Sequence, residues 1–306
     1  MNFKIFITAL LMTASSLCAQ KLPSGNAVIR APYGNSEIVI TTTERLAGAI
    51  HSLKWNGREF INSADHGRQL QSAANFDAGT RFTGETFNPT EAGSRFDGAG
   101  PKSTSQLLHF LASENQLQTT SRMAFWLRPG EKSSGQPAKN RTSVSDHLLT
   151  KRVTIGYRNM QNVIRYDVTF GVPVGEDHQY AQFEAVTGYM PADFSEFHAV
   201  DLTSGELLSL TDGPGEQRHP VILSVPSKSH AMGVYSPQQP SAGYEHAGYG
   251  RFRFERQKVV KWNCVFRVRR RQGVPSGDYS FRNFVVLGTR EDVRRTIVKL
   301  HGLSHK

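Results

Sequence analysis

Apolar and polar residues alternate with a period of two along much of the chain, and this pattern predicts β-strands. The segments 37–43 and 49–55 are predicted strands, and Asn56-Gly57 separates the second of them from a short run at 58–62. An Asn-Gly pair between two such runs predicts a tight hairpin, because both turn residues need positive φ. Further strands are predicted at 151–157, 163–172, 180–187, 220–225, 231–236, 251–256, 258–270 and 279–287.

One helix is predicted near the end of the chain. Thr289 is a suitable N-cap, and Asp292 follows three residues later as a capping-box partner. Val293, Ile297 and Leu300 recur at helical spacing. We expect this apolar stripe to pack on the outside of a sandwich.

The remaining chain has few other features that would divide it. The segment 130–146 is polar and rich in Ser, Lys and Gly, which predicts an exposed loop, and we find neither a fixed-period repeat nor a clear linker. The 306 residues are 38% hydrophobic, so the chain can bury a core without disulfides or metals. We therefore predict an all-β fold in which residues 20–306 form one large antiparallel β-sandwich domain, a supersandwich, with a C-terminal helix.

Residues 1–19 have the pattern of an export signal. Lys4 supplies a positive start, 5–12 is apolar, and Ala19 permits cleavage before Gln20. The apolar part is short for a membrane span, and no later segment approaches 18 consecutive apolar residues. The sequence thus predicts an exported protein, periplasmic or extracellular, without a transmembrane segment.

The chain is basic, with 36 Lys and Arg against 26 Asp and Glu and a net charge of +10. Part of this excess lies within 251–271, where basic residues alternate with apolar ones. The segment fits either a surface that attracts polyanions or the solvated face of two strands. No nucleic-acid-binding motif accompanies the charge, so we expect no nucleic-acid partner.

Several chemistries lack their sequence signatures. There is no His-x-His, His-Glu-x-x-His or Cys pair, so no metal is predicted. The nucleophile elbow, the phosphate loop and the dinucleotide fingerprint are also absent, and no cofactor is predicted. Cys264 and His230 both lie in apolar strand patterns; Cys264 is interpreted as a core residue, and His230 as either a core residue or a site residue.

The segment 65–71 is unusually polar for a strand. If it is extended, His66 and Arg68 share one face, and Asp65, Gln69 and Gln71 share the other. Burying unpaired polar groups is costly, so the segment either lines a polar cavity or forms a charged edge strand. We favour the cavity, because these side chains suit sugar hydroxyls and carboxylates.

Three other segments supply candidate site residues. Asn88 and Glu91 lie in an irregular stretch of the kind that often forms a binding loop, although Glu91 also fits a turn carboxylate. Tyr189 could stack on a sugar ring or donate a hydrogen bond. Glu216 and His219 offer an acid–base pair on a tight loop, which could equally be a plain turn.

The chain resembles the galactose-mutarotase-like (aldose-epimerase-like) superfamily as a secreted bacterial member. The resemblance rests on the strand 49–55 with its Asn56-Gly57 hairpin to 58–61, the polar strand 66–71 and the closing strand around 277–281. It implies a β-supersandwich with a concave sugar-binding face. The superfamily includes epimerases, domains of glycoside hydrolases and polysaccharide lyases, and proteins with no known reaction.

The resemblance also implies roles for particular residues. In the mutarotases a Glu takes the proton of the anomeric hydroxyl, a His protonates the ring oxygen, and an Arg helps to hold the sugar. Here the His and Arg roles fall on His66 and Arg68, and the Glu role on Glu91 or Glu216.

Our leading hypothesis is a secreted enzyme acting on a poly- or oligosaccharide by general acid–base catalysis in a concave cleft, as a lyase or a hydrolase. The net positive charge favours an acidic substrate. The predicted catalytic residues are His66, Arg68, Glu91 and Glu216, and the predicted substrate-binding residues are Asp65, Gln69, Gln71, Asn88, Tyr189 and His219. The alternatives are a non-catalytic sugar-binding or envelope protein of the same fold, a mutarotase-type epimerase, and a protein-interaction module that uses 251–271.

Overall fold

A computed structural model describes residues 23–237 and 247–304. The predicted export signal lies outside these residues. The strands of the described part are β1 (Ala27–Tyr33), β2 (Ser36–Thr42), β3 (Ile50–Trp55), β4 (Arg58–Glu59), β5 (Leu70–Phe76), β6 (Pro89–Thr90), β7 (Gln106–Ser113), β8 (Gln116–Phe125), β9 (Lys132–Ser133), β10 (Gln136–Pro137), β11 (Val144–Tyr157), β12 (Met160–Val172), β13 (Tyr180–Pro191), β14 (Glu196–Val200), β15 (Leu207–Ser209), β16 (Gly215–Gln217), β17 (Val221–Ser224), β18 (Ala231–Tyr235), β19 (Gly248–Phe254), β20 (Val259–Arg269) and β21 (Gly277–Gly288). A helix, α1 (Arg290–Ser304), follows them.

The strand pairings form two antiparallel rows, which we call the first and second layers. The first layer runs β1-β2-β3-β5-β13-β20-β19-β16, and β4 pairs with β3. The second runs β7-β8-β11-β12-β21-β18-β17-β14-β15. The short strand β6 pairs with both β5 and β8 and so joins the layers into one hydrogen-bonded network.

Aromatic side chains from the two layers meet in a shared core. Phe183 of β13 lies 5.1 Å from Phe170 of β12 and 5.4 Å from Phe281 of β21, measured between ring centroids. Phe266 of β20 stacks on Phe281 at 4.5 Å. These contacts bury the inward side chains of both layers, and this burial is the main force that holds a sandwich together. The fold is therefore the all-β antiparallel sandwich with a C-terminal helix that the sequence predicts.

The local sequence signals are confirmed. Asn56 and Gly57 have φ of 49° and 73° and connect β3 to β4 as the Asn-Gly rule requires. All eight strands predicted after residue 150 are present, most within a few residues of the expected bounds. The predicted loop 130–146 is wrong in part, because it contains the β9–β10 hairpin and the start of β11.

The predicted polar strand 65–71 is also wrong in part. Only Leu70 and Gln71 belong to β5, and 65–69 form a turn. The Asp65 carboxylate causes the turn, because it accepts hydrogen bonds from the Gly67 backbone N–H and the Arg68 Nε, both at 3.0 Å. Short acidic side chains commonly bend the chain in this way.

The helix matches its prediction. The backbone N–H of Asp292 donates to the Thr289 hydroxyl at 3.1 Å, and this hydroxyl donates to the Asp292 carboxylate at 2.6 Å. Val293, Ile297 and Leu300 are buried against the outer face of the second layer. Within the described residues, no helix has both the length and the apolar character that a membrane crossing requires.

Candidate functional site

A polar recess lies on the outer face of the first layer, where β5, β13 and β20 are neighbours. It is open to solvent and has a cavity volume of about 100 Å³. Two aromatic rings, two carboxylates, one ammonium group and a set of amides and hydroxyls line it: Trp126, Tyr189, Glu85, Glu184, Lys261, Gln71, Asn75, Asn88, Thr90 and Thr187. Recesses with several convergent polar groups are the usual sites of small-molecule binding.

A β-bulge in β13 arranges the floor of the recess. The pairing of β13 with β20 shifts register between Glu184 and Val186. Ala185 and Val186 are both fully buried in the core, so two successive residues point inward. Glu184 and Thr187, although three residues apart, therefore face the same side. Bulges re-aim side chains in this way in antiparallel sheets.

An ion pair forms the centre of this floor. Glu184 Oε2 accepts hydrogen bonds from Lys261 Nζ at 3.1 Å, Thr187 Oγ1 at 3.1 Å and Asn263 Nδ2 at 3.3 Å. Burial opposes ionisation of Glu184, but the Lys261 charge and these donors outweigh it and hold the pKa of the carboxyl below its usual range. Burial also opposes the charge on Lys261, yet Glu184 raises the pKa of that amine.

The two oxygens of Glu184 differ in what they contact. All three donors named above go to Oε2, and the described residues provide no hydrogen bond to Oε1. Because Glu184 lines the recess, Oε1 is placed to accept a hydrogen bond from a ligand hydroxyl. The lysine, the amide and the threonine hydroxyl hold the carboxylate in position for this.

Tyr189 lies beside the ion pair. Lys261 Nζ is 5.1 Å from the centroid of its ring, within cation–π range. Burial is the largest cause that raises the pKa of the Tyr189 phenol, while the Lys261 charge opposes it. The phenol therefore stays protonated near neutral pH and can donate a hydrogen bond into the recess.

Amide side chains on β5 form a second polar group in the recess. Gln71 Nε2 donates to the Gly67 carbonyl at 3.0 Å, whereas Gln71 Oε1 is buried and has no hydrogen-bond partner in the described part of the chain. Asn75 Oδ1 accepts from the Glu85 backbone N–H at 2.9 Å. These bonds fix the orientation of the two amides at the recess.

Trp126 forms an aromatic wall above the turn at Gly67. A Cβ at position 67 would lie 2.6 Å from the Trp126 ring, so only glycine allows the indole to pack there. Glu85 stands on another part of the rim and accepts a hydrogen bond from Ser133 at 2.5 Å. The recess thus combines a flat apolar ring with hydrogen-bonding groups.

The recess brings together some of the residues predicted from sequence. Gln71, Asn88 and Tyr189 line it. Arg68 is paired with Asp65 at 2.5 Å, and Gly67, which stands between them in the chain, lines the recess, so the Arg68–Asp65 pair lies beside the recess.

Other residues of the predicted polar segment turn away from the recess. Gln69 is fully buried and donates to the Asp65 carbonyl, so it holds the turn together and does not line the recess. His66 is 1% exposed. Its ring nitrogens lie 2.7 Å from the Gly98 carbonyl oxygen and 2.8 Å from that of Arg45. Both nitrogens are therefore committed to the backbone, and the cleft position expected for His66 is corrected.

The cleft position expected for Glu91 is corrected as well. Thr90 lines the recess, and Glu91, the next residue along the chain, points to the opposite side of the sheet. Glu91 is 1% exposed, pairs with the buried Lys151 and accepts from the Ser72 backbone N–H at 3.0 Å. It belongs to the interior of the sandwich.

Glu216 and His219 lie apart from the recess lining, at the β16 end of the first layer. Both carboxylate oxygens of Glu216 bind the Arg267 guanidinium at 2.7 Å. The His219 carbonyl accepts from Gln217 at 3.3 Å. Of the four segments that supplied candidate site residues, 65–71, 88–91 and the strand with Tyr189 each contribute to the recess lining, and the segment with Glu216 and His219 does not.

The basic residues of 251–271 do not form one free surface. Arg251 donates to the Thr211 carbonyl at 2.6 Å, and Arg253 pairs with Asp212 at 2.9 Å. Lys261 points into the recess. The solvated-strand interpretation fits these local pairings better than a continuous basic patch.

Sequence reasoning missed most of the recess floor. Glu184 and Lys261 each interrupt a buried strand, between Phe183 and Ala185 and between Val260 and Trp262. A lone charged residue within an apolar strand was the available signal. The sequence analysis did not single out Glu184, and it assigned Lys261 to the basic segment.

Comparison with known proteins gives structural neighbours only. No protein-family model and no curated protein matches the chain. Among solved structures, an α-galactosidase from Lactobacillus brevis is 9% identical, with 88% of this chain and 40% of that chain aligned and a TM-score of 0.46. A protein in glycosyl hydrolase family 38 from Enterococcus faecalis is 11% identical, with 89% and 33% aligned and a TM-score of 0.47.

Heparan sulfate lyase HepC from Pedobacter heparinus is a further neighbour, 9% identical, with 87% of this chain and 35% of that chain aligned and a TM-score of 0.42. This chain spans well under half the length of each of these three proteins. Similarity at this level supports no inference about activity, so the function proposed below rests on the recess.

Proposed function

We propose that this is an exported protein that binds a carbohydrate in the recess on the outer face of its first layer. The observation that carries the proposal is the Glu184 carboxylate at the recess, held by three donors on Oε2, with no hydrogen bond to Oε1 from the described residues. A fixed carboxylate oxygen is a strong acceptor for a sugar hydroxyl.

The surrounding groups complete such a site. Trp126 and Tyr189 provide rings on which the apolar face of a pyranose can pack. Gln71 and Asn88 provide amide donors and acceptors, which match the paired donor and acceptor character of hydroxyl groups.

The charge inside the recess favours a neutral sugar unit. Glu85 and Glu184 face a single lining cation, Lys261, and Arg68 is offset by Asp65. The overall charge of +10, which favours an acidic carbohydrate, is located mainly outside the recess. We therefore propose a neutral unit in contact with Glu184, and acidic units would bind elsewhere on the chain.

Direct binding measurements test this proposal. Isothermal titration with neutral and acidic oligosaccharides should identify a ligand whose affinity falls at least about tenfold in Glu184→Gln and in Trp126→Ala, equivalent to about 1.4 kcal/mol each. Glu37→Gln, an exposed carboxylate change in β2, is the matched control and should leave the affinity unchanged.

Two results would count against the proposal. The first result is that Glu216→Gln abolishes binding and Glu184→Gln does not. The carbohydrate would then bind near β16 and not in the recess. The second result is that the chain binds only acidic ligands, loses them at high salt and is unaffected by Trp126→Ala. Binding would then be due to surface charge and not to the recess.

A reaction in the same recess is the second candidate function. Tyr189 is a protonated donor and Glu184 an ionised acceptor, and Lys261 contacts both. Opposed protonation states in one recess suit general acid–base catalysis by a hydrolase or an epimerase on a neutral unit, or by a lyase if the unit bound there is a uronate.

Product analysis separates the catalytic and binding alternatives. A lyase gives unsaturated ends, a hydrolase gives new reducing ends, and an epimerase interconverts anomers. If the protein is an enzyme, Tyr189→Phe should lower turnover by about a hundredfold while leaving substrate affinity within a few-fold. A ligand that binds the recess and is recovered unchanged would establish a non-catalytic binder.

A further inference from the structure

A second polar cluster lies at one end of the sandwich, away from the floor of the recess. His147 comes from β11 in the second layer, and Glu176 and His178 come from the loop that leads into β13 of the first layer. One ligand atom from each of these three residues lies within 4.8 Å of the other two. The cluster therefore joins the two layers at a point where no strand pairing does.

The distances centre on one carboxylate oxygen. Glu176 Oε2 is 2.8 Å from His178 Nε2 and 3.2 Å from His147 Nε2. Ligands about 2.0–2.1 Å from a tetrahedral zinc ion are separated from one another by about 3.3 Å. The 3.2 Å separation matches this value, the 2.8 Å separation is about 0.5 Å shorter, and all three atoms lie within 4.8 Å of one another, so side-chain movements of an ångström or so would bring them around one ion.

The histidines are buried without enough hydrogen-bond partners. Each is 2% exposed, and among the described residues both ring nitrogens of His147 and Nδ1 of His178 have no hydrogen-bond partner. His147 Nε2 is near Glu176 but is not aligned for a hydrogen bond. Buried polar atoms that remain unpaired need an explanation, and a bound ion is a recognised one.

Aromatic packing encloses the two imidazoles. Phe76 packs against both rings at a tilt, with centroid distances of 4.9 Å to His147 and 4.5 Å to His178.

Asp77 lies on the far side of His178. Its Oδ1 is 3.7 Å from His178 Nδ1, and its carboxylate is fixed by the Gln179 backbone N–H at 3.0 Å. A carboxylate behind a histidine orients the ring so that the other nitrogen faces the metal. With Asp77 in this position, Nε2 of His178 is the nitrogen that faces Glu176.

We propose that His147, Glu176 and His178 form a zinc site. Two imidazoles and one carboxylate are a donor set that zinc prefers, whereas calcium and magnesium take mainly oxygen ligands. Glu176 is 23% exposed, so its side of the cluster can provide a fourth ligand from water. The ion would tie β11 to the start of β13, next to the end of β5.

Metal titration of the purified, tag-free chain tests the site. After EDTA treatment and dialysis, the chain should bind one Zn²⁺ with an affinity that falls at least about a hundredfold in His178→Ala and His147→Ala. Zn²⁺ should also raise the melting temperature of the stripped wild-type chain but not of these variants. His109→Ala, an exposed histidine of β7, is the matched control and should retain both effects.

Glu176→Gln tests the zinc site even if a histidine variant fails to fold. The residue is partly exposed and the change preserves its size, so folding should survive while zinc affinity falls at least about tenfold. The proposal is overturned if the stripped chain takes up no stoichiometric zinc. It is also overturned if Glu176→Gln and the folded histidine variants bind zinc as the wild type does, or if Ca²⁺ gives the same thermal stabilisation as Zn²⁺.

Discussion

Two Glu–Lys pairs lie on opposite sides of β5, each beside a tyrosine. Glu91 and Lys151 are 1% and 0% exposed inside the sandwich, and Lys151 Nζ is 5.6 Å from the ring of Tyr166. Glu184 and Lys261 are 15% and 11% exposed at the recess, with Nζ 5.1 Å from the ring of Tyr189. Both pairs join a carboxylate to an ammonium group beside a phenol ring, and they differ in their access to solvent.

Access to solvent decides what each pair can do. In the interior, the Ser72 backbone N–H donates to Glu91, and the Ser72 hydroxyl lies 2.9 Å from the Tyr166 hydroxyl. These contacts lie inside the protein, so the Glu91 carboxylate is not available to a ligand. In the recess, one oxygen of Glu184 remains available to a ligand. The interior pair thus specifies how the layers fit together, and the recess pair is available for function.

The largest expected effect comes from breaking the interior pair. Lys151→Met leaves Glu91 buried without its cation, and removing one partner of a buried pair costs about 3–5 kcal/mol. Urea denaturation should show a correspondingly lower free energy of unfolding. Lys54→Met, an exposed lysine change in β3, should alter it by less than about 0.5 kcal/mol.

Adding Glu91→Gln to Lys151→Met removes the stranded charge while keeping an acceptor for the Ser72 N–H. The double variant should recover much of the lost stability, since exchanging a whole buried pair for uncharged groups is often close to neutral. A double variant less stable than Lys151→Met would contradict the interpretation that an uncompensated charge is the cause.

A smaller effect on stability, but a larger one on binding, is expected at the recess pair. Lys261→Met leaves Glu184 with its Thr187 and Asn263 donors and with access to water, so unfolding should become easier by only about 1–3 kcal/mol. Affinity for the recess ligand should fall at least about tenfold, because the carboxylate loses the donor that positions it. Denaturation and titration on the same sample measure both.

Lys151→Met provides the comparison for that experiment. At a temperature where it is still folded, it should bind the recess ligand with nearly wild-type affinity. Equal losses of affinity in Lys151→Met and Lys261→Met would show that the two pairs act as one unit across β5.

The sequence was sufficient where the determining interactions are local. The Asn56-Gly57 turn and the Thr289 cap each depend on neighbours within four residues, and both were predictable. The polar turn at 65–69 was mistaken for a strand, because alternation alone does not reveal that the Asp65 side chain accepts from the backbone two residues later.

The sites could not be predicted in the same way, because they depend on register and on chain segments far apart. Glu184 meets Lys261 only through the β13–β20 pairing and its bulge. His147 and His178 come from different layers. The spacing of His147 and His178 in the sequence matches no metal-binding motif. A search for such motifs therefore does not detect a metal site that only the fold assembles.

The smallest expected effect is the pH dependence contributed by Glu184. Its pKa lies below the ordinary value of 4.5 in the folded chain, because Lys261 and the hydrogen-bond donors outweigh burial. The unfolded state therefore takes up the proton first on acidification. The stabilisation is complete above the pKa that Glu184 has in the unfolded state, and it is lost as the pH falls through the pKa of the folded state.

Urea denaturation of the wild type and of Glu184→Gln across pH 3 to 7 should show the stability advantage of the wild type shrinking below about pH 4.5. Parallel curves over that range would mean that Lys261 does not stabilise the charged carboxylate, and the two Glu–Lys pairs would then differ in strength as well as in access to solvent.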